Sequence, residues 1–520
     1  MSRDQMRRSA AQLMSRGQVA LGLILMLLAA AQAKVFGPLA LLKTVSAAII
    51  TFYVVFLAFK FVVSAAGNRA QSYFDWLDSL PLLKDHQLDN YCVLVPVRKE
   101  GQLVMKLLVE ELCKLDYPVK KLKIMLLLED PADDPITHDA LRHINLPSRF
   151  EVKVTPFFQP KTKPKACSWA WQYVPDDFDF ATIYDGEDRP EREQLRKAAT
   201  AFYHLERKGK KVGCLQSELA FWNPRSSWVS TFMWAEYSVH FRKMLRGMAH
   251  LRLIPPLGGT SNHFRVQALR EVAANNGVRT YTDKDGNTVH VTGPWDEWNM
   301  TEDADLAMRL YMAGWIIMML HSVTFEEAPD SLITAKNQRT RWLLGYSQTC
   351  LVWSRKWWEV VRKVGFIRWF CFELMMGGTH LSLLLNPLTW ASTALYVVAR
   401  FTGNVGITEF MEQLFPAPVY YAGMAVAIFG NAILWYQKIT VPVMRQNESE
   451  VNAFVEDNRF AVYQAIEEHG LTIRLVFTPV WWAFTCISAY RALRKLLFDR
   501  KTWEKTTHGD NMDAEATMAH

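Results

Sequence analysis

Three short motifs in fixed order carry residue types from which chemistry can be built: Tyr184-Asp185-Gly186-Glu187-Asp188, Thr301-Glu302-Asp303 and Gln338-Arg339-Thr340-Arg341-Trp342. The first offers two carboxylates, Asp185 and Glu187, with one small glycine between them, so that both can reach a single hard cation. Mg²⁺ or Mn²⁺ prefers carboxylate oxygens and keeps positions open for phosphate, which suits neutralising a leaving diphosphate. The second offers a base, Asp303, where an irregular segment enters an amphipathic helix over Ala304 to Ala313. A helix start stabilises a carboxylate anion, so Asp303 is expected to be ionised. The third sets Gln338, Arg341 and Trp342 on neighbouring turns of a helix. Arginine suits multidentate contact with phosphate, and the indole presents an apolar face to a pyranose ring. Together the parts suit moving a sugar from a nucleotide diphosphate to a hydroxyl. Each alone has a plainer reading: an acidic turn capping the helix near Pro190, a helix N-terminus rich in Thr and acids, and a membrane-interface anchor. Only the conjunction favours the chemistry.

Further residues are secondary candidates. Lys163 and Lys165, in Pro160-Lys161-Thr162-Lys163-Pro164-Lys165, are placed to contact phosphate, although a solvated basic loop gives the same pattern. His263 closes the small-residue loop Leu257-Gly258-Gly259-Thr260-Ser261-Asn262-His263, which can approach a sugar closely, and is a candidate acceptor contact or a structural hydrogen-bonder. Glu373 and His380 stand seven apart within an apolar segment, where ionisable groups are functional suspects that can line a glycan path.

These residues need a scaffold. Buried strands are expected at Tyr91–Val97, Leu122–Leu128, Glu151–Thr155, Phe180–Tyr184 and Val212–Phe221, with helices at Gly101–Leu115 and Glu191–Arg207. Apolar strands alternating with amphipathic helices predict an α/β fold with a mostly parallel sheet covered on both faces. Ligands of such sheets bind beyond the carboxyl ends of the strands, and Glu100, Glu129 and Asp185 all fall at or just past a strand end. Asn275 to Gly293 reads as an inserted β-hairpin around an Asp-Gly turn, placed to cover the acceptor just before the base. Asp283, Asp285 and Asn287 imitate the start of a calcium loop, but Pro294 stands where the twelfth-position glutamate belongs, so a plain hairpin is expected.

Apolar runs at Val19–Ala33 and Val45–Ala66 follow a basic start and read as a retained transmembrane hairpin rather than a signal peptide. The mean hydropathy of -0.03 averages apolar ends with a charged middle. The net charge of +7 is no nucleic-acid footprint, because the basic excess flanks the apolar segments, as it does on the cytoplasmic side of membranes. Seven scattered cysteines without a CxxC pair read as reduced thiols. Leu343–Phe366, with Trp353, Trp357 and Trp358 among Arg and Lys, suits one helix lying in the membrane interface. Further apolar segments lie at Phe370–Ala399, Val419–Trp435 and Leu475–Tyr490. Three single spans would leave the basic tail outside, so one segment is expected to be broken, re-entrant or interfacial. The expected organisation is a transmembrane hairpin over 1–67, a cytoplasmic catalytic domain over 68–342, an interfacial helix over 343–368, a transmembrane and interfacial region over 369–498 and a cytoplasmic tail over 499–520.

On Val95-Pro96-Val97-Arg98-Lys99-Glu100, Glu129-Asp130, Lys163-Pro164-Lys165, the three motifs above and the ending Trp503 to Gly509, the chain resembles the membrane-integrated family 2 glycosyltransferases, the group of bacterial cellulose, hyaluronan and poly-N-acetylglucosamine synthases. The resemblance implies a Rossmann-like GT-A domain on the cytoplasmic side of a multi-pass inner-membrane protein, a UDP-sugar donor, Mg²⁺ or Mn²⁺, and inversion at the anomeric carbon. It implies that Glu100, Glu129, Lys165, Asp185, Gln338 and Arg341 bind the donor, that Asp185 and Glu187 hold metal and that Asp303 is the base. Trp342, Glu302 and His263 would meet the acceptor. The usual Asp-x-Asp is Asp-Gly-Glu here, which can shift the metal or its preference. The product expected is a β-linked polysaccharide passed across the membrane, with envelope export proteins as partners. A single transfer to lipid is the enzymatic rival, and an envelope receptor or scaffold with a transferase-like domain is the non-enzymatic one.

Overall fold

The computed structural model describes residues 3–415, 432–433, 435–437 and 473–499. Its centre is an eight-stranded sheet in the order β3-β2-β1-β4-β7-β6-β10-β5. The strands are β1 (Tyr91–Val97), β2 (Leu122–Leu128), β3 (Phe150–Val154), β4 (Phe180–Ile183), β5 (Arg189–Pro190), β6 (Val212–Phe221), β7 (Asn262–Arg265) and β10 (Ile316–Glu326). A separate hairpin pairs β8 (Arg279–Thr282) with β9 (Thr288–Val291). Neighbours β3, β2, β1 and β4 run parallel, as do β6 and β10, while β7 is antiparallel between β4 and β6 and β5 is antiparallel to β10. This is the mostly parallel GT-A arrangement.

Why these segments form inner strands follows from β1. Tyr91, Val93, Val95 and Val97 enter one apolar core with Met105, Leu108 and Leu112, while Cys92 and Leu94 enter a second core on the opposite face. Side chains alternate sides of a strand, so a continuous apolar run fits only a sheet covered on both faces. Every acidic strand-end residue then falls on the same edge. All seven cysteines are free.

Among the described residues, three helices are long and apolar enough to cross a membrane: residues 16–36, 38–78 and 366–402. The first two form a hairpin, α1 (Arg16–Phe36) and α2 (Pro38–Arg69), broken at Gly37, whose φ of 85° is open to glycine, and restarted by Pro38 in the first turn. No residue of α1 is buried within the chain. The inner end of α2 instead packs on residues 240–250, where Gly67 and Gly247 leave no room for a Cβ against the opposing backbone. The third run joins Phe366–Glu373, a wide turn at Leu374–Gly378 and Thr379–Thr402, with Pro387 inside and no break into two spans.

The expected single interfacial helix over Leu343–Phe366 is two elements. Leu343–Ser354 is the second half of one long helix, Leu332–Ser354, with Leu344, Val352 and Trp353 buried. The chain turns at Arg355 because its guanidinium donates to the carbonyls of Ser9 (2.8 Å) and Leu13 (3.1 Å), among others of the N-terminal segment. Only Trp357–Val364 is amphipathic, with Trp357 and Trp358 exposed and Val360 and Val364 buried. The expected span at Val419–Trp435, but for the few residues named above, and the tail past Asp499 lie outside the described residues.

The N-terminal segment before α1 is docked on the domain built around the sheet. The Ser9 hydroxyl and the Ala10 amide each donate to the buried Asp296 carboxylate at 2.7 Å, and Arg309 donates to the Arg8 carbonyl at 2.6 Å. The N-terminal segment and that domain therefore lie on the same side of any membrane the hairpin crosses.

Candidate active site

Strand β4 delivers Tyr184 into the core, where its hydroxyl donates to Gln194 at 2.8 Å, and releases Asp185 at the sheet edge. The turn that follows is braced by Asp188. Its Oδ2 accepts the Asp185 amide at 2.8 Å and the Thr260 hydroxyl. That leaves Asp185 and Glu187 on the wall of a cavity of about 810 Å³. Glu100, at the end of β1, packs its side chain against Gly186, and Glu129, at the end of β2, completes this wall.

The two lysines part company. Lys163 opens the helix α3 (Lys163–Ala170) and points into the cavity, with Nζ 2.6 Å from Asp185 Oδ1 and 2.5 Å from the Gly259 carbonyl. Burial works against its charge, but Asp185, Asp303 and Glu302 outweigh that and raise its pKa. Lys165, expected to meet the donor, does not line the cavity. Residues two apart on a helix face nearly opposite directions, so Lys165 turns inward and pairs with Glu129 Oε2 at 2.5 Å, almost wholly buried. Burial, opposed by Glu129, lowers its pKa.

Glu302 and Asp303 start α4 (Glu302–Met312) and both line the cavity. The expectation that the helix start keeps Asp303 in its usual carboxylate range is corrected. Burial, then Glu302, push its pKa well up, with Lys163 opposing and Asp185 adding. A helix terminus supplies about half a charge in its first turn, and here it is outweighed by desolvation and neighbouring carboxylates. Asp303 Oδ1 is buried without a protein partner.

The long helix α5 (Leu332–Ser354) presents Gln338, Arg341 and Trp342 to the same cavity, one turn apart. Gln338 Oε1 is a second buried acceptor atom without a protein partner, and Trp342 tilts against Tyr237 with ring centres 5.8 Å apart. Arg339 also lines the cavity, with its guanidinium 4.8 Å from the centre of the Trp481 ring.

His263, expected to meet the acceptor, does not line the cavity. It sits on β7 inside the sheet, fully buried, with Nδ1 2.6 Å from the Tyr91 hydroxyl and Nε2 3.2 Å from Gln194. Burial lowers its pKa to about 3, so it is neutral. Glu373 and His380 are also absent from the cavity wall. Glu373 meets Cys350 and Trp369, and His380 meets Ser347 and the Ala489 carbonyl.

One residue was missed. Glu326 ends β10 and lines the cavity beside the acidic turn, since Phe325 pairs with Arg189, and its Oε1 is buried and unpartnered. Burial, then Asp188, Glu187 and Asp185, push its pKa well up. The signal was available: Ile316–Val323 is an apolar run ending in acids, like the runs before Glu129 and Asp185.

The acidic turn fits a divalent cation. No group of three or more His, Cys, Asp or Glu in metal-holding geometry occurs among the described residues. Mg²⁺ and Mn²⁺ need no such cage when phosphates and water complete the shell, so two carboxylates suffice. Burial, then the neighbouring carboxylates, raise the Asp188 and Glu326 pKa values, and Asp188 Oδ1 and Glu326 Oε1 are buried without a protein partner. Asp185 and Glu187 are the residues positioned to supply ligands.

The cavity does not stop at the sheet. Its wall continues through Ile49, Tyr53 and Phe56 of α2, Asn386 and Thr389 of the third membrane-length helix, and Trp482. There the Tyr53 hydroxyl donates to Asn386 at 2.7 Å.

The family profile described as Glycosyl transferase family group 2 matches residues 180–435. Among curated proteins the chain is similar to a probable glucomannan 4-beta-mannosyltransferase 4 of Oryza sativa subsp. japonica, 22% identical over 307 residues, or 57% of this chain and 50% of that protein. It is also similar to a probable glycosyltransferase, YdaM, of Bacillus subtilis, 22% identical over 279 residues, 53% and 60%. The chain spans about half the length of the curated relatives it matches. A solved mannosyltransferase from Pyrobaculum calidifontis in complex with GDP-Man and Mn²⁺ aligns with TM-score 0.42 at 14% identity, over 85% of this chain and 99% of that one. Residues 1–349 of S. aureus TarS with UDP-GlcNAc align with TM-score 0.33 at 13% identity, over 69% and 92%.

Proposed function

The chain belongs to the family 2 glycosyltransferases, and from that premise we propose that it is an inverting enzyme, transferring a hexose from a nucleotide-diphosphate sugar to a hydroxyl at the membrane and building a β-linked polysaccharide. The observation that carries this reading is the single cavity that joins Asp185, Asp303 and Arg341 to the hydroxyl- and indole-bearing residues of the membrane helices. A donor can be held at the sheet edge while a growing glycan extends past Trp342 towards Tyr53 and Asn386.

The chemistry assigns each residue a task. Asp303 takes the proton of the acceptor hydroxyl as its oxygen bonds to the anomeric carbon and the bond to the diphosphate breaks. A raised pKa makes Asp303 a stronger base once it is ionised, and Lys163 favours that ionisation. Gln338 and Arg341 hold the departing diphosphate, with Lys163 opposite them. A divalent cation held by Asp185 and Glu187 would neutralise charge on that diphosphate. Trp342 stacks the acceptor sugar, and Glu302 orients its hydroxyls. Glu100 and Glu129 contact the nucleoside. The donor is a UDP-sugar on the motif resemblance; a mannosyl donor is the second reading, favoured by the probable glucomannan 4-beta-mannosyltransferases among the relatives.

The test is a panel of UDP- and GDP-sugars offered to the protein in lipid nanodiscs with Mn²⁺ or Mg²⁺. Nucleoside diphosphate release and product size are measured, with Asp303→Asn as control. Long polymer from one donor supports the reading and names the sugar. One sugar on lipid would replace it by a single-transfer lipid enzyme, for which Leu42, Val45 and Ile49 on the cavity wall provide an apolar berth. No turnover of any donor, with wild type equal to the mutant, would overturn it.

A further inference from the structure

The inserted hairpin does not cover the acceptor: none of residues 279–291 lines the cavity. It is docked instead on the segments that carry Glu129 and Lys165. Val291 is fully buried and Val289 nearly so, in the same core as Ala166 and Ala170 of α3. The Tyr281 ring stacks on Phe158, with ring centres 4.9 Å apart at 27°. Lys165 Nζ stands 5.1 Å from the centre of that same Phe158 ring and pairs with Glu129. At the tip, the Lys284 amide donates to the Phe157 carbonyl at 3.1 Å, and Lys284 Nζ lies 2.8 Å from Asp130, next to Glu129. At the base, Arg279 and the Tyr281 hydroxyl both bond Glu297, whose own carbonyl accepts the hydroxyl of Thr162, the residue before α3. These contacts run to the β2 edge, to the loop before α3 and to α3 itself, and the last bears on where α3 starts.

We propose that this hairpin is a positioning element for the donor nucleotide: through Tyr281, Phe158 and Lys165 on one side and Lys284 and Asp130 on the other, it fixes the Glu129 wall of the site and so sets donor affinity without touching the donor. Stacked rings and a buried ion pair have narrow geometric optima, so a displaced Tyr281 passes to Glu129 as a displacement rather than being absorbed. The tip ion pair is partly exposed and adds direction more than strength. The inference rests on the donor reading above, in which Glu129 faces the nucleoside.

The experiment compares wild type with Tyr281→Leu, Tyr281→Phe, Lys284→Ala and Lys284→Arg in nanodiscs. Affinity for UDP and for GDP is titrated with Mn²⁺ and no acceptor; donor and acceptor KM and kcat follow with whichever nucleotide sugar wild type turns over. Tyr281→Leu is expected to weaken nucleotide binding and raise donor KM about tenfold, with kcat and acceptor KM near wild type. Tyr281→Phe, which keeps the ring, should restore both. Lys284→Ala, at an exposed tip that does not endanger folding, should act in the same direction more weakly, with Lys284→Arg restoring it. Unchanged nucleotide affinity in both loss variants would overturn the inference, and so would an effect confined to acceptor KM. If wild type itself binds neither nucleotide, the donor reading fails and takes this inference with it.

Discussion

Gly345 and Thr301 are in contact so close that a Cβ on Gly345 would stand 2.5 Å from Thr301 Oγ1 and 2.6 Å from its amide nitrogen. Thr301 is the residue before the α4 helix that starts with Glu302 and Asp303, and Gly345 lies one turn past Arg341 and Trp342. The separation of base and leaving-group clamp is thus set by one missing methyl group. Gly345→Ala is expected to cost about 1–3 kcal/mol of stability, as overpacking does, and to lower kcat at least tenfold by moving Asp303 relative to Arg341. Thermal unfolding and steady-state kinetics on the same sample check both halves.

Asp303→Asn removes the proton acceptor while keeping shape. A fall in kcat of about 10²–10⁴-fold is expected, the range of general-base contributions, with donor KM little changed. Because the carboxyl is buried and disfavoured as an anion, the variant should fold at least as stably as wild type. A stable variant with unchanged turnover would remove Asp303 from the mechanism.

The raised Asp303 pKa gives the pH profile a sign. The base works only when ionised, so kcat/KM is expected to fall as pH falls through an inflection above the usual carboxylate range. Lys163→Ala removes the cation that opposes the shift and should move that inflection further up. A profile flat down to the ordinary range would contradict the burial of this group.

Glu326 makes a matching statement about stability. Its folded pKa is raised, so its contribution is fully present below the unfolded value and lost as pH rises through the folded one. Glu326→Gln mimics the protonated form. It should match wild type in mildly acid buffer and exceed it at neutral pH, by roughly 2–4 °C in Tm for each kcal/mol relieved. Equal Tm values across the range would show that the carboxylate cluster is not destabilising.

Arg355 anchors the N-terminal segment by several carbonyl contacts at once, two of them at 2.8 and 3.1 Å. Arg355→Ala leaves those carbonyls unsatisfied at about 1–3 kcal/mol each if buried, so a loss of several kcal/mol and protease access before α1 are expected. Intact protection of residues 5–14 from limited proteolysis would refute the anchoring.

Legibility in the sequence followed locality. β1, β2 and β4 were readable because each is a short apolar run stopped by an acid or a Pro-rich turn, and the strand-end acids then mark the site edge. β7 was not, because Asn262 and His263 look polar and only their neighbours β4 and β6 make them core. Lys163 and Lys165 are equal in sequence and are separated by where α3 starts. The hairpin was readable, but its partner Phe158 lies over a hundred residues earlier. The Asp303 shift is set by which carboxylates the fold brings near it, and no local pattern encodes that.

The docked N-terminal segment also has a meaning for the order in which the molecule is assembled. Ser9 is made 287 residues before its partner Asp296, and 346 before Arg355. If the hairpin α1–α2 enters a bilayer as it is made, it does so long before the underside of α4 has anything to receive the segment. Once it docks, Asp296 gains the Ser9 hydroxyl and the Ala10 amide, and Arg309 gains the Arg8 carbonyl, beside the partners they have within the domain. A chain threaded the wrong way would forgo those three bonds, so the docked segment favours the insertion that keeps both on one side.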